Sequence, residues 1–286
     1  MKYYFCGFLL VINLIACNKE TTTPPPVDND PDLAARNITD TSYGADPLQK
    51  VDIYLPEKRN DTTKTIVLIH GGGWTEGDKS DLNTGIAGLQ GEFPGYAICN
   101  INYRLAKDAS TNLFPTQEND IKAAMALLLD NIQQFHISKN VVMIGFSAGA
   151  HLALLHSYKN DPDKHVKAVV DFFGPTDLPA FWNMGLVYQL ILLNVTGKTY
   201  DQDQNVYTSA SPVNYITAQT PPTIVLQGGA DVTVPPAQAD ILVAALEKNH
   251  VTNQLVLYPT EGHGWQGANL LDSYQKVKAF VEANEE

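Results

Sequence analysis

Past its first sixteen residues the sequence lacks any apolar run of the ~18 residues a helix needs to cross a bilayer, so nothing downstream predicts a membrane span. Cationic residues are scarce as well. Nineteen Lys and Arg face 31 Asp and Glu, a formal net charge of −12 at pH 7. That balance leaves no basic footprint and excludes nucleic acid as a partner. It implies mutual repulsion and solubility but names no substrate. Cysteine is nearly missing, with Cys6, Cys17 and Cys99 the whole supply. Neither a paired-Cys spacing nor His-Glu-x-x-His occurs, so no metal site is expected. A phosphate-binding glycine loop and a dinucleotide fingerprint are absent too, and no cofactor is expected. Nothing in the chain specifies an obligate protein partner.

What the N-terminus does contain is a leader pattern. Lys2 precedes a mostly apolar stretch over residues 3–16, too short to span a membrane and long enough for a signal core. It ends in Leu14-Ile15-Ala16-Cys17, which resembles the lipobox of bacterial lipoproteins. The resemblance implies that residues 1–16 are removed and that Cys17 carries a lipid. The enzyme-sized remainder would then be extracytoplasmic, anchored to a bacterial membrane, with the outer membrane's periplasmic or surface face the expectation. The alternative is an ordinary signal peptide with a Cys near its cleavage site. Residues 17–36, with three Thr followed by three Pro and several acids, are expected to form a solvated tether. Cys99 alone cannot make an internal disulfide, so the mature chain must be held together by its core.

From residue 37 to 286 one domain is expected, built from alternating strand and helix signals. Strands are predicted over residues 51–55, 65–70, 96–102, 141–146, 166–173, 223–227 and 254–258. Several are continuous β-branched runs, as in parallel strands buried on both faces. Helices are predicted over 117–135, 148–158, 236–249 and 268–283, the first placing Ile121, Ala124, Met125, Leu128, Leu129 and Ile132 on one face. The alternation predicts an α/β fold, a mostly parallel sheet of about eight strands with helices on both faces. One interval, about 175–220, is far longer than a usual connection. It contains the apolar, helix-like stretch 181–195 and is expected to be a small cap at the ligand-binding edge of the sheet.

Three motifs carry the chemistry. Gly145-Phe146-Ser147-Ala148-Gly149 alone is a pattern that chance produces often. Its setting between a predicted strand and a predicted helix is the strand–turn–helix that an exposed serine nucleophile requires. His70-Gly71-Gly72-Gly73-Trp74 follows another strand, and its bare backbone can approach a substrate. With the N–H of Ala148, those of Gly72 and Gly73 could cradle an oxyanion, each such donor being worth about 3–4 kcal/mol. A serine hydroxyl also needs a base. His151 and His156 lie on the helix that Ser147 opens, and His136, His165 and His250 stand in expected surface turns. His70 is read as structural. His263, in Glu261-Gly262-His263-Gly264-Trp265 after the last strand, occupies the place of the base in the order nucleophile, acid, base. Asp231, ending Gln227-Gly228-Gly229-Ala230-Asp231, is the orienting acid, ahead of Asp240 and Glu261. Trp74 and Trp265 are candidate pocket walls.

Taken together the chain resembles the α/β-hydrolases, and among them the bacterial carboxylesterases grouped with bifunctional feruloyl and acetyl-xylan esterases. The resemblance runs from about residue 51 to the C-terminus. It rests on Asp52-Ile53-Tyr54-Leu55-Pro56, the His70–Trp74 stretch with Gly77-Asp78-Lys79, and Asn102-Tyr103-Arg104-Leu105. It continues through Gly145–Ala153, Phe173-Gly174-Pro175-Thr176-Asp177-Leu178 and Gly262-His263-Gly264-Trp265. It implies Ser147, Asp231 and His263 as catalytic residues, Gly72, Gly73 and Ala148 as oxyanion donors, and a small ester or acylated carbohydrate as substrate. Kynurenine formamidases, lipases and prolyl-oligopeptidase-type peptidases resemble the same scaffold, so an amidase or peptidase stays open. So does a surface glycan-binding protein on an inactive hydrolase fold.

Overall fold

A computed structural model describes residues 33–284. The signal segment, the lipobox and Cys17 lie outside the described residues. Residues 17–32 of the expected tether also lie outside the described residues, and residues 33–36 are part of the described domain. Leu33 is buried, and its carbonyl accepts the Lys58 N–H.

Among the described residues the sheet has eight strands: β1 (Arg36–Ser42), β2 (Lys50–Leu55), β3 (Thr65–Ile69), β4 (Ala97–Ile101), β5 (Val141–Phe146), β6 (Val166–Phe172), β7 (Thr223–Gly228) and β8 (Asn253–Tyr258). Their order is β1-β2-β4-β3-β5-β6-β7-β8. β1–β2 and β2–β4 are antiparallel, and every pairing from β3–β4 onward is parallel. Between the strands run α1 (Asn83–Glu92), α2 (Thr116–Asp130), α3 (Ile132–Phe135), α4 (Ala148–Lys159), α5 (Leu178–Trp182), α6 (Leu186–Thr196), α7 (Gln204–Ser209), α8 (Ala237–Lys248) and α9 (Ala268–Asn284). This is the α/β-hydrolase fold.

β3 and β4 are buried at every position, which is why their sequences read as unbroken apolar runs. Two core clusters result, one on each face of the sheet. β1 departs from the expected seven strands. Its sequence, Arg-Asn-Ile-Thr-Asp-Thr-Ser, is polar and mostly exposed. Pairing with β2 holds it, with a register shift between Ile38 and Thr41 and the Asp40 N–H donated to Asp52 Oδ1 at 2.7 Å. The helix expected over 117–135 breaks at Asn131. There the side-chain amide donates to the Leu127 carbonyl at 2.7 Å, competing with the helical pattern.

The long interval after β6 divides in two. α5 and α6 form a roof at the ends of the strands. Residues 204–216 instead return to the core, where the Ala210 carbonyl accepts a hydrogen bond from His151 on α4. The expected cap is therefore shorter than 175–220. Among the described residues no helix is long and apolar enough to cross a membrane.

Candidate active site

The site begins with the turn from β5 to α4. Ser147 sits at φ 54°, ψ −119°, a backbone conformation unfavourable for a side-chain-bearing residue, and its N–H donates to the Phe172 carbonyl at 2.8 Å. The turn can be this tight because its flanks lack side chains. A Cβ on Gly145 would lie 2.3 Å from the Gly149 carbonyl oxygen, and one on Gly149 would lie 2.2 Å from that of Ile69. The strain is thus supported by β3 and α4 closing directly onto bare backbone.

Three side chains from three separate loops meet here. His263 Nε2 lies 2.9 Å from Ser147 Oγ, and His263 Nδ1 lies 2.7 Å from Asp231 Oδ2. An ionised Asp231 only accepts, so Nδ1 carries the proton and Nε2 presents its lone pair to the serine hydroxyl. Asp231 is buried at the end of β7 and firmly held. Its Oδ1 accepts the N–H groups of Thr233 and Val234 at 2.8 and 2.9 Å, and Gln227 Nε2 donates to Oδ2 at 3.3 Å. The Phe173 ring packs at 4.6 Å from the imidazole of His263 and forms one wall around it.

The glycine loop faces this triad. Gly72 (φ 107°) and Gly73 (φ 55°) adopt conformations that side chains disfavour, and a Cβ on Gly72 would sit 2.0 Å from the Glu76 carbonyl oxygen. Within the loop the Gly72 carbonyl turns away to accept the N–H groups of Thr75 and Glu76. Gly72, Gly73 and Ala148 line the same cavity as Ser147 and His263.

Behind the loop lies a layer of support only partly legible in the sequence. His70 is buried, stacks on Tyr103 with centroids 4.3 Å apart, and directs its ring nitrogens at the Gly71 carbonyl and Asn102 Oδ1. Desolvation by burial holds its pKa below the usual histidine value. Asn102 Nδ2 donates to Asp78, and Lys79 Nζ pairs with Asp52 Oδ2 at 2.8 Å, tying the loop to β2 and β4. These contacts account for Gly77-Asp78-Lys79 and Asn102-Tyr103 as positioning residues.

Trp74 lines the cavity and is also fixed beneath it, donating from Nε1 to His151 Nδ1 at 3.2 Å. Burial pushes the His151 pKa down to about 4. The neutral ring donates from Nε2 to the Ala210 carbonyl at 2.6 Å, so glycine loop, α4 and the segment after α7 are linked through one imidazole. Trp265 is not a pocket wall. It faces the core behind the His263 loop, donating from Nε1 to Ser273 Oγ at 2.8 Å and packing on Phe173 and Tyr258. The remaining expected alternatives stand apart. Glu261 accepts from Asn269, and Asp240 lies on α8.

The cavity measures about 450 Å³. Its walls missed from sequence alone are chiefly Phe146, Phe173, Pro175, Phe181, Ile191 and Val234. Glu76 and His263 are the ionisable residues that line it. Among the described residues no group of three His, Cys, Asp or Glu is disposed to hold a metal ion. Asp171, on β6 beside the site, is a contrasting carboxylate. Its Oδ1 accepts the Gly174 N–H at 2.7 Å, while Oδ2 is buried without a partner, and burial pushes its pKa up to about 7.

The BD-FAE family model matches residues 51–246 of this chain. The chain belongs to the BD-FAE family. That match takes in the glycine loop, Ser147 and Asp231, and His263 lies beyond it. Among individual proteins, Esterase LipC of Mycobacterium tuberculosis is 28% identical over 254 residues, 80% of this chain and 59% of LipC. Dipeptidyl peptidase family member 6 of Caenorhabditis elegans is 26% identical over 235 residues, 77% of this chain and 31% of the relative. The chain thus spans between 31% and 59% of the length of these curated relatives. Among solved structures, a bifunctional GH43-CE protein of Bacteroides eggerthii superposes with a TM-score of 0.74 at 26% identity, covering 85% of this chain and 35% of that one.

Proposed function

We propose that this BD-FAE member is a serine carboxylesterase acting on short-chain or aryl esters, including acyl groups on polysaccharide fragments. The observation that carries the reading is the unbroken Asp231–His263–Ser147 hydrogen-bond chain beside a glycine loop. The esterase relative LipC and the likeness to the bifunctional GH43-CE protein support it.

The reaction follows from the geometry. His263 Nε2 takes the Ser147 proton as Oγ attacks the ester carbonyl. The oxyanion forms against the N–H groups of Ala148 and the Gly72–Gly73 loop. Asp231 holds the imidazole in the receiving tautomer and stabilises the imidazolium. The imidazolium then gives its proton to the departing alcohol oxygen, leaving an acyl group on Ser147. Water, deprotonated by His263, hydrolyses that ester and regenerates the serine.

Ser147→Ala tests the reading. It is expected to lower p-nitrophenyl acetate turnover by at least ~10⁴-fold and to abolish labelling by a fluorophosphonate. Normal labelling of the variant would sink the assignment. The resemblance to a dipeptidyl peptidase favours amide hydrolysis as a second reading. Parallel kcat/KM values on acetyl esters, N-formyl amides and dipeptide p-nitroanilides separate the two, the ester being expected to lead. The proposal includes lipid attachment at Cys17, which Cys17→Ser should abolish, as read by incorporation of labelled palmitate.

A further inference from the structure

The described surface exposes seven large hydrophobic side chains, and four of them stand at one place. Leu186, Val187 and Leu190, on the first turns of α6, are 70%, 66% and 53% exposed, and Val232, next to the acid, is 80% exposed. The Tyr188 hydroxyl donates to the Val232 carbonyl at 2.9 Å and brings helix and acid loop together. Both elements then run straight into the cavity. Ile191 and Asn194 line it one turn further along α6, and Thr233 and Val234 line it on the loop. On a helix, positions 187, 190, 191 and 194 share a face, so the exposed stripe and the cavity wall are one surface.

We infer that this rim is an extension of the substrate site that binds an alkyl chain too long for the cavity, so the enzyme takes medium-chain as well as short-chain esters. This rests on the esterase reading above and specifies its substrate class. Continuity with the cavity is the reason for choosing substrate over another occupant. An apolar chain leaving the cavity past Ile191 meets Leu190 and Val187 without crossing a charged side chain of α6, which has none. Each buried methylene gains from leaving water, and a rim of this kind lets chain length raise kcat/KM past the point where the cavity is full.

The test is a chain-length series on the full protein. It uses p-nitrophenyl acetate, butyrate and octanoate for a chain on the acyl side, and ethyl against octyl acetate for a chain on the alcohol side. The wild type is expected to process the long member of at least one series at least as well as its short member. In a Leu186→Ser/Val187→Ser/Leu190→Ser variant the long-to-short ratio of kcat/KM should fall about tenfold in that series. The single variant Val232→Ser, on a different element, should lower the same ratio about threefold. An unchanged ratio in both variants overturns the rim, whereas a wild type inactive on every ester overturns the esterase reading itself. Sedimentation is run alongside. A wild-type dimer that becomes monomeric in the triple variant with no change in ratio would assign the rim to a second copy of the chain and overturn the inference.

Discussion

The catalytic cradle and the roof above it are built on opposite terms. In the cradle, bare backbone lies against bare backbone. A Cβ at Gly72, Gly145, Gly149 or Gly228 would come within 2.0–2.3 Å of a neighbouring carbonyl oxygen. Both carboxylate oxygens of Asp231 are engaged, and His151 and Asn102 are buried and bonded on both sides. In the roof, α6 has no side-chain cap at its N-terminus and leaves three large apolar residues in water. The cradle specifies one geometry at fixed chemistry. The roof offers a surface whose shape is set by side chains that can change one at a time.

Three substitutions probe that contrast, from the most damaging to the mildest. Asp231→Asn keeps the shape of the cradle but removes the carboxylate that fixes the His263 tautomer. It is expected to lower kcat by about 10³–10⁴-fold, read with p-nitrophenyl acetate, with far-ultraviolet circular dichroism unchanged. Gly72→Ala puts a methyl group against the Glu76 carbonyl and forces the loop to move. An activity loss of about 10²–10³-fold, the cost of a misplaced oxyanion donor, is the expected outcome. Activity within a factor of two of wild type would show that the loop is more forgiving than its glycines suggest. Ile191→Ala trims the roof from inside the cavity. A loss of about fivefold in kcat/KM for p-nitrophenyl butyrate, with a melting temperature lowered by only a few degrees, would mark the roof as tunable. A loss comparable to that of Gly72→Ala would erase the distinction.

The same contrast explains what could be read in advance. The parallel core was legible because strands such as Thr65–Ile69, buried on both faces, have to be apolar and β-branched throughout. Ser147, Asp231 and His263 were legible because their chemistry requires particular residue types, each at the end of a recognisable strand. β1 left no trace, since an edge strand held by backbone pairing needs no hydrophobic pattern. Trp265 misled because an aromatic beside a candidate base reads equally well as a wall or as a prop. Its direction depends on Ser273, eight residues on, which no local pattern reveals. The roof was legible as an interval of unusual length, but the division between α6 and the returning segment depends on His151 reaching Ala210, a long-range contact.

β1 also fixes which way the enzyme looks. Arg36 pairs with Leu55, beside the ends where β3, β4 and β5 begin, whereas Ser147 follows the end where β5 finishes. The first described strand therefore begins more than a strand's length, over roughly 20 Å, from the mouth of the cavity, since it is also four strands away across the sheet. The mouth of the cavity and the start of the first described strand thus lie toward opposite ends of the sheet's strands, and a substrate approaching Ser147 does not pass β1.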